Sequence, residues 1–401
     1  MAFHPSPNIA HLKASETVAI STEAKRRKAA GENVLDLGVG EPDFDTPEMV
    51  ADAGIAAIRA HKTRYAPNVG LVELREAMAA ALSRMSGDRA VDPARLIVSN
   101  GSKQSLFNAC FTLFGQGDSV LIPSPAWVSY PQIVHLAHAT PVMVPGDPEW
   151  GLKVSVGDLE RHRDASTRGL ILCTPCNPTG AVYTQAELAE IAAWAGQHDI
   201  WLICDEIYRR IHYGPGPAPS LFALGDDVLD RSVVIYGASK AYAMTGWRIG
   251  AAYAPPEVVK AMAALQSHTT TGANQPAMWA AVEAFGNPAE DAEVDVMVAA
   301  FRRRRDYLVA RFHEQAPGVE FVEPHGAFYI FFRVDGLAPG MCGSTFCEQL
   351  MRDEGVALVP GLAFGDDRWV RLSYSVSDAD LEAAGDRLMR FMAKLTPAAT
   401  P

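Results

Sequence analysis

Lys240 stands in the segment YGASKAYAMTGWRIG, directly after an apolar run and among small residues. An amine partly withdrawn from water loses basicity and can condense with an aldehyde or ketone to a Schiff base. Eight residues on, Arg248 follows a Gly-Trp pair and offers a planar guanidinium suited to a phosphate. Asp205 closes the apolar run of WLICDEIY, with Tyr208 three residues later. A plain strand-end cap is one reading of Asp205. The other is a buried carboxylate, which needs a cationic or donor partner such as a protonated ring nitrogen.

Four further segments carry candidates. Asn177 opens NPTG after the run GLILC and is placed to offer a side-chain amide at the end of a strand. The segment SNGSKQSLF puts Ser102 and Lys103 at the start of a helix. Backbone N–H groups and the positive dipole end make such a start a natural phosphate cradle, although a capped helix explains it equally well in isolation. Trp127 in SPAWVSY would stack on a planar ring or lie in the core, and Arg371 in WVRLSY would grip a carboxylate with two parallel hydrogen bonds. Each candidate has an ordinary structural explanation. Together they describe one ligand, a phosphorylated pyridine aldehyde, and so pyridoxal 5′-phosphate.

These residues need elements that bring them to one place. Short apolar runs at Arg95–Ser99, Ser119–Ile122, Pro141–Val144, Gly169–Cys173, Ile200–Cys204 and Ser232–Tyr236 read as buried strands. Helical spacing recurs between them, at Lys103–Phe114, Trp127–Leu136 and Gln185–Gln197. The fold class is therefore α/β, a mostly parallel sheet sandwiched by helices, with ligands expected beyond the carboxyl ends of the strands. From about Pro288 the pattern changes to a long helix, Glu293 to about Gln315, then AFYIFFRV, a helix over Ser344–Asp353, Val356–Val359, WVRLSY and a terminal helix. That is a smaller α+β unit. The division expected is a large domain over 47–290 and a small one assembled from 1–46 and 291–401.

Composition removes several function classes. The chain has 401 residues, 48% of them apolar, and a net charge of -12. So apolar a chain buries a core and is not disordered. Its acidity argues against nucleic acid, no run is long enough to span a membrane, and no secretory signal opens it. The arginines at 302–305 point in four directions around a helix and read as a solvated flank. Six cysteines without an export signal suggest reduced thiols and a cytoplasmic location, with the CxxC pair Cys173 and Cys176 read as incidental and no metal expected.

The sequence resembles the class I pyridoxal-phosphate aminotransferases of fold type I, and within them the bacterial aspartate aminotransferase subgroup. The resemblance rests on GEPDFDTP (Gly40–Pro47), YAP (Tyr65–Pro67), SPAWVSYP (Ser124–Pro131), NPTGAVY (Asn177–Tyr183), DEIY (Asp205–Tyr208) and SKAYAMTGWRIG (Ser239–Gly250), and runs from about Leu12 to the last helix. It implies that Lys240 joins the cofactor aldehyde and then shuttles a proton, and that Asp205 pairs with the pyridinium nitrogen. Asn177 and Tyr208 would bind the ring oxygen, and Trp127 would stack on the ring. Ser102, the backbone of Lys103 and Arg248 would hold the phosphate, joined by Tyr65 from the partner of a homodimer. Arg371, Gly40 and Asn177 would receive the substrate α-carboxylate.

Departures bear on the substrate. Gly237 stands where many relatives have a phosphate-binding Ser, and Asn8 and Ala14 replace an Arg and a Pro of the subgroup. The lost arginine counts against prephenate. Lys103 matches the lysine that pairs with the distal carboxylate of aspartate. The expected activity is ping-pong transfer of an amino group from aspartate or glutamate to 2-oxoglutarate or oxaloacetate. Transfer from a neutral, aromatic or specialised amino acid is the alternative, and a carbon–sulfur β-lyase on the same scaffold stands further off.

Overall fold

Period-2 alternation divides the buried strands between two cores. Leu170, Leu172, Leu202, Cys204, Val234 and Tyr236 pack into one, and Ile171, Ile203, Val233 and Ile235 into the other. The structure is a computed structural model and describes residues 4–6, 8–10, 12 and 16–395. Its main sheet has seven strands, in the spatial order Leu96–Asn100, Ile249–Tyr253, Ser232–Gly237, Trp201–Asp205, Thr167–Cys173, Ser119–Ser124 and Thr140–Pro145. Ile249–Tyr253 runs antiparallel to both neighbours, and the remaining pairs are parallel. Helices Val72–Arg84, Gln185–Gln197 and Gln275–Gly286 cover the first face; Ser102–Leu113, Ser129–Leu136 and Pro256–Ser267 cover the second. Each fully buried aliphatic or aromatic side chain is worth about 1.5–3 kcal/mol, so neither layer can peel away cheaply.

Register then places the chemistry. Cys173 pairs with Asp205, Asp205 with Ile235, and Gly237 with Gly250. The segments that follow Cys173, Asp205 and Gly237 therefore leave the sheet at one edge, and these carry Asn177, Tyr208 and Lys240.

A second, antiparallel sheet has the order Val359–Pro360, Trp369–Ser373, Tyr329–Arg333, Phe321–Val322. With helices Glu290–Gln315, Gly343–Asp353 and Asp378–Leu395 it encloses a core containing Phe301, Phe312, Phe332, Phe346 and Leu388. Leu35–Asp36 pairs in parallel with Val356–Ala357, which ties the early chain to the late chain.

Several sequence expectations shift. The strand IGAAY, Ile249–Tyr253, has a single β-branched residue and gives little propensity signal. The helix expected from Trp127 starts at Ser129, and the one expected from Glu293 starts at Glu290. Val356–Val359 divides into two short strands that serve different sheets. Arg304 is not on a solvated flank. It is buried, donates to Asp43 at 2.7 Å and Asp378 at 2.6 Å, and lies against Phe44 and Phe301. Four successive helical positions sweep most of a turn, so one of the four must face inward; Arg302 and Arg303 remain exposed.

Candidate active site

Small residues build one end of the site. Gly101 precedes the helix Ser102–Leu113 with φ of 81°, a left-handed conformation that favours glycine. A side chain there would also strike the Arg248 guanidinium. Arg248 itself holds φ of 59°, which is strained for a residue with a Cβ, and donates to the Thr245 carbonyl at 3.0 Å. Ser102 donates from Oγ to the Tyr236 carbonyl at 3.1 Å. A Cβ at Gly237 would lie 2.5 Å from Ser102 Oγ and 3.0 Å from Gly250 Cα, so any side chain there would force the Ser102 hydroxyl to move. The result is a helix N-terminus, a hydroxyl and a guanidinium drawn together by three close-packed glycines, counting Gly250 against Ser102.

Asp205 lies deeper and is 4% exposed. Tyr130 donates to its Oδ2 at 2.9 Å and the Ile207 amide to its Oδ1 at 3.2 Å. Burial pushes its pKa up to about 6, against the lowering pull of these donors and of Lys240. Trp127 lies on the cavity lining and meets Tyr130 edge to face at 5.4 Å. Tyr208 shares a 2.8 Å hydroxyl contact with Tyr329.

Lys240 sits in the helical turn Ala238–Ala241 that follows the strand Ser232–Gly237, and its Nζ donates to the Gly40 carbonyl. Burial drags its pKa down to about 8; Glu41 and Asp205 oppose this, while Arg371 and Arg248 add to it. Arg371, 2% exposed, donates to Asn177 Oδ1 at 3.0 Å and to the Gly38 carbonyl at 2.6 Å. Its guanidinium carbon lies 4.4 Å from the Tyr329 ring centre and 5.0 Å from that of Phe364. Its buried Nε has no hydrogen-bond partner.

One cavity of about 570 Å³ collects these groups. Gly40, Ser102, Lys103, Trp127, Asn177, Asp205, Tyr208, Lys240, Arg248 and Arg371 all line it. Tyr65 does not, and is 91% exposed. Lys103 holds its Nζ 4.7 Å from the Trp127 ring centre, and burial with the nearby Arg248 lowers its pKa. Asn8 lies in an exposed turn, and Ala14 falls outside the described residues. Cys173 lines the cavity and Cys176 is partly exposed; both are free thiols. Sequence reasoning missed Tyr130 and Tyr329. The first lies inside the quoted SPAWVSYP; the second sits in AFYIFFRV, where nothing distinguishes it from core aromatics.

The family model for aminotransferases of class I and II matches residues 32–388. The chain belongs to the class I and II aminotransferases. It is 42% identical over 402 aligned residues to the bifunctional aspartate aminotransferase and glutamate/aspartate-prephenate aminotransferase of Petunia hybrida, covering 98% of this chain and 83% of that protein. The aspartate aminotransferase of Bacillus subtilis is 38% identical, covering 96% of this chain and 98% of its own. Among solved structures, the Thermus thermophilus aspartate aminotransferase with maleate superposes with a TM-score of 0.92 at 39% identity, covering 97% of this chain and all of that one. This aminotransferase therefore has the type I fold of its relatives, with a mostly parallel large sheet. No helix among its described residues is long and apolar enough to cross a membrane.

Proposed function

We propose that this aminotransferase holds pyridoxal 5′-phosphate in the 570 Å³ cavity and transfers the amino group of aspartate or glutamate to 2-oxoglutarate or oxaloacetate. One observation carries the reading: Lys240, Asp205, Asn177 and Arg371, each from a different segment, line a single cavity beyond the strand ends. The donor set also fits the cofactor. Asp205 is a buried acid with no cation bonded to it, suited to a protonated ring nitrogen. The glycine-crowded helix start with Arg248 suits a phosphate, and the buried Arg371 retains an unpartnered Nε for an incoming carboxylate.

When bound, the cofactor supplies a conjugated pyridine ring that takes up the electron pair released at the substrate Cα. Lys240, with its depressed basicity, is the amine that would hold the cofactor by its aldehyde and would carry the proton at the substrate Cα. Asp205 keeps the ring nitrogen protonated. Asn177 and Tyr208 orient the ring oxygen, and Trp127 covers a ring face. Ser102, the Lys103 backbone and Arg248 hold the phosphate, and Arg371 with Gly40 and Asn177 orients the α-carboxylate. That several relatives are named as aspartate aminotransferases supports the substrate assignment.

A homodimer completes the site, with Tyr65 of a second copy reaching the phosphate. Its support is the exposure of several large hydrophobic side chains in one stretch of chain: Met49, Ile55, Ile58, Tyr65 and Val72 all fall within residues 49–72. The domain division proposed is 47–290 for the cofactor-binding part, with 1–46 and 291–401 forming the small one. The memberships of the cores on either side support it, with Ile207–Tyr213 reaching across. The test is a half-reaction screen, in which cofactor-loaded enzyme is mixed with single amino acids and its visible absorption followed. Aspartate and glutamate should bleach it fastest. Repeated turnover of cystathionine to pyruvate without any amino acceptor would overturn transamination in favour of β-elimination.

A further inference from the structure

The helix Glu16–Ala29 brings Ser21, Thr22 and Lys25, one face of its middle turns, to the cavity. Its arginines behave differently, since Arg26 and Arg27 both pair with Glu23. Lys25 has no carboxylate within ion-pair distance among the described residues, and is exposed. The cavity is strongly cationic. Lys25, Lys103, Lys240, Arg248 and Arg371 line it against two carboxylates, Glu41 and Asp205.

The reading above accounts for part of that charge. Arg248 goes to the phosphate, Arg371 to the α-carboxylate and Lys240 to the aldehyde, while Asp205 takes the ring nitrogen. Glu41 accepts from Thr245 Oγ1 at 2.9 Å and acts electrostatically on Lys240. By the resemblance Lys103 takes the distal carboxylate of aspartate, and Lys25 is then left without an assigned anion. Lys103 holds its Nζ over the face of Trp127, and its neighbour Arg248 adds like charge. A neutral amino acid would leave both ammonium groups uncompensated at the cavity. A substrate with a second carboxylate would supply the missing charge.

We propose that Lys25 is a further specificity residue, adding its charge beside Lys103, the lysine to which the sequence resemblance already gives the distal carboxylate of aspartate. This rests on the aminotransferase reading and on Arg371 taking the α-carboxylate. A lysine on a helix at the cavity lining acts through charge rather than fixed geometry, so arginine should substitute for it and salt should weaken it.

The experiment compares the wild-type holoenzyme with Lys25→Met and Lys25→Arg, measuring kcat/KM for aspartate, glutamate and alanine. In Lys25→Met the ratio of aspartate to alanine kcat/KM should fall roughly five- to tenfold, mainly through KM, and Lys25→Arg should restore it. Calorimetry supplies a readout independent of turnover: succinate should bind Lys25→Met more weakly by a similar factor, while butyrate binding should change less. An unchanged aspartate-to-alanine ratio with unchanged succinate binding overturns the inference and leaves the transaminase reading intact. Equal losses for acidic and neutral substrates overturn it as well. A wild-type enzyme that transfers no amino group from any amino acid overturns both.

Discussion

Burial acts on Lys240 and Asp205 in opposite directions, lowering the pKa of the amine and raising that of the carboxyl. Lys240 falls from an ordinary 10.5 to about 8, so near neutrality an appreciable fraction is the nucleophilic free amine. The rate at which cofactor-free enzyme captures pyridoxal phosphate should therefore rise with pH and level off above about 8; a flat profile would contradict the depressed amine. Lys240→Ala should lose the visible absorption of the loaded enzyme and about three orders of magnitude or more in turnover. Asp205 rises from 3.8 to about 6, so the folded chain binds its proton more tightly than the unfolded chain does. The sign follows: the ionised carboxyl costs stability, the cost growing between pH ~4 and ~6 and complete above that, at most about 3 kcal/mol. Cofactor-free Asp205→Asn should thus be more stable than wild type by about 1–3 kcal/mol at pH 8, with the gain disappearing by pH 4. Urea melts at the two pH values check it, and equal differences at both would defeat it. The same variant, once loaded, should turn over at least about a hundredfold more slowly, because an amide cannot hold the ring nitrogen protonated. Of these residues, Lys240, Asp205 and Arg371 were legible from type and position after apolar runs. Tyr130 and Tyr329 were not, because a tyrosine among core aromatics shows its hydroxyl partner only once the chain is folded.

The elements were legible wherever burial on both faces forced a continuous apolar run, as in GLILC and SVVIY. Reading failed at IGAAY, and the structure gives the reason. This strand is selected for smallness, since Gly250 packs directly against the start of the helix Ser102–Leu113. Small size rather than β propensity is what the site needs, because it lets the helix N-terminus approach the sheet edge. Gly250→Ala should push that helix start away, costing about 1–3 kcal/mol in stability. It should also weaken cofactor binding by more than the fold loss alone accounts for. The check is a pyridoxal-phosphate Kd measured well below Tm, beside a urea melt of the cofactor-free variant. A melt that shifts while Kd stays put would separate the glycine's packing role from the cradle. Gly237 makes the complementary case: a Cβ there would come within 2.5 Å of Ser102 Oγ, so a side chain at 237 would displace the hydroxyl at the helix start.

At the scale of the whole molecule, one motif residue stands apart from the cavity that the others line. Tyr65 is 91% exposed and belongs to a stretch, 49–72, that also exposes Met49, Ile55, Ile58 and Val72. If Tyr65 serves the partner's site, two defective chains complement each other. In a heterodimer of Lys240→Ala and Tyr65→Ala, one site carries both defects and the other carries neither. Random mixing makes half of the dimers heterodimers with one intact site in two, so about one quarter of wild-type activity should appear above the sum of the two homodimers. If Tyr65 acts within its own chain, no intact site can form and mixing restores nothing. Co-expression with two affinity tags isolates the heterodimer, and its turnover decides between the arrangements. Recovery would locate the missing contact in the assembly rather than within a single chain.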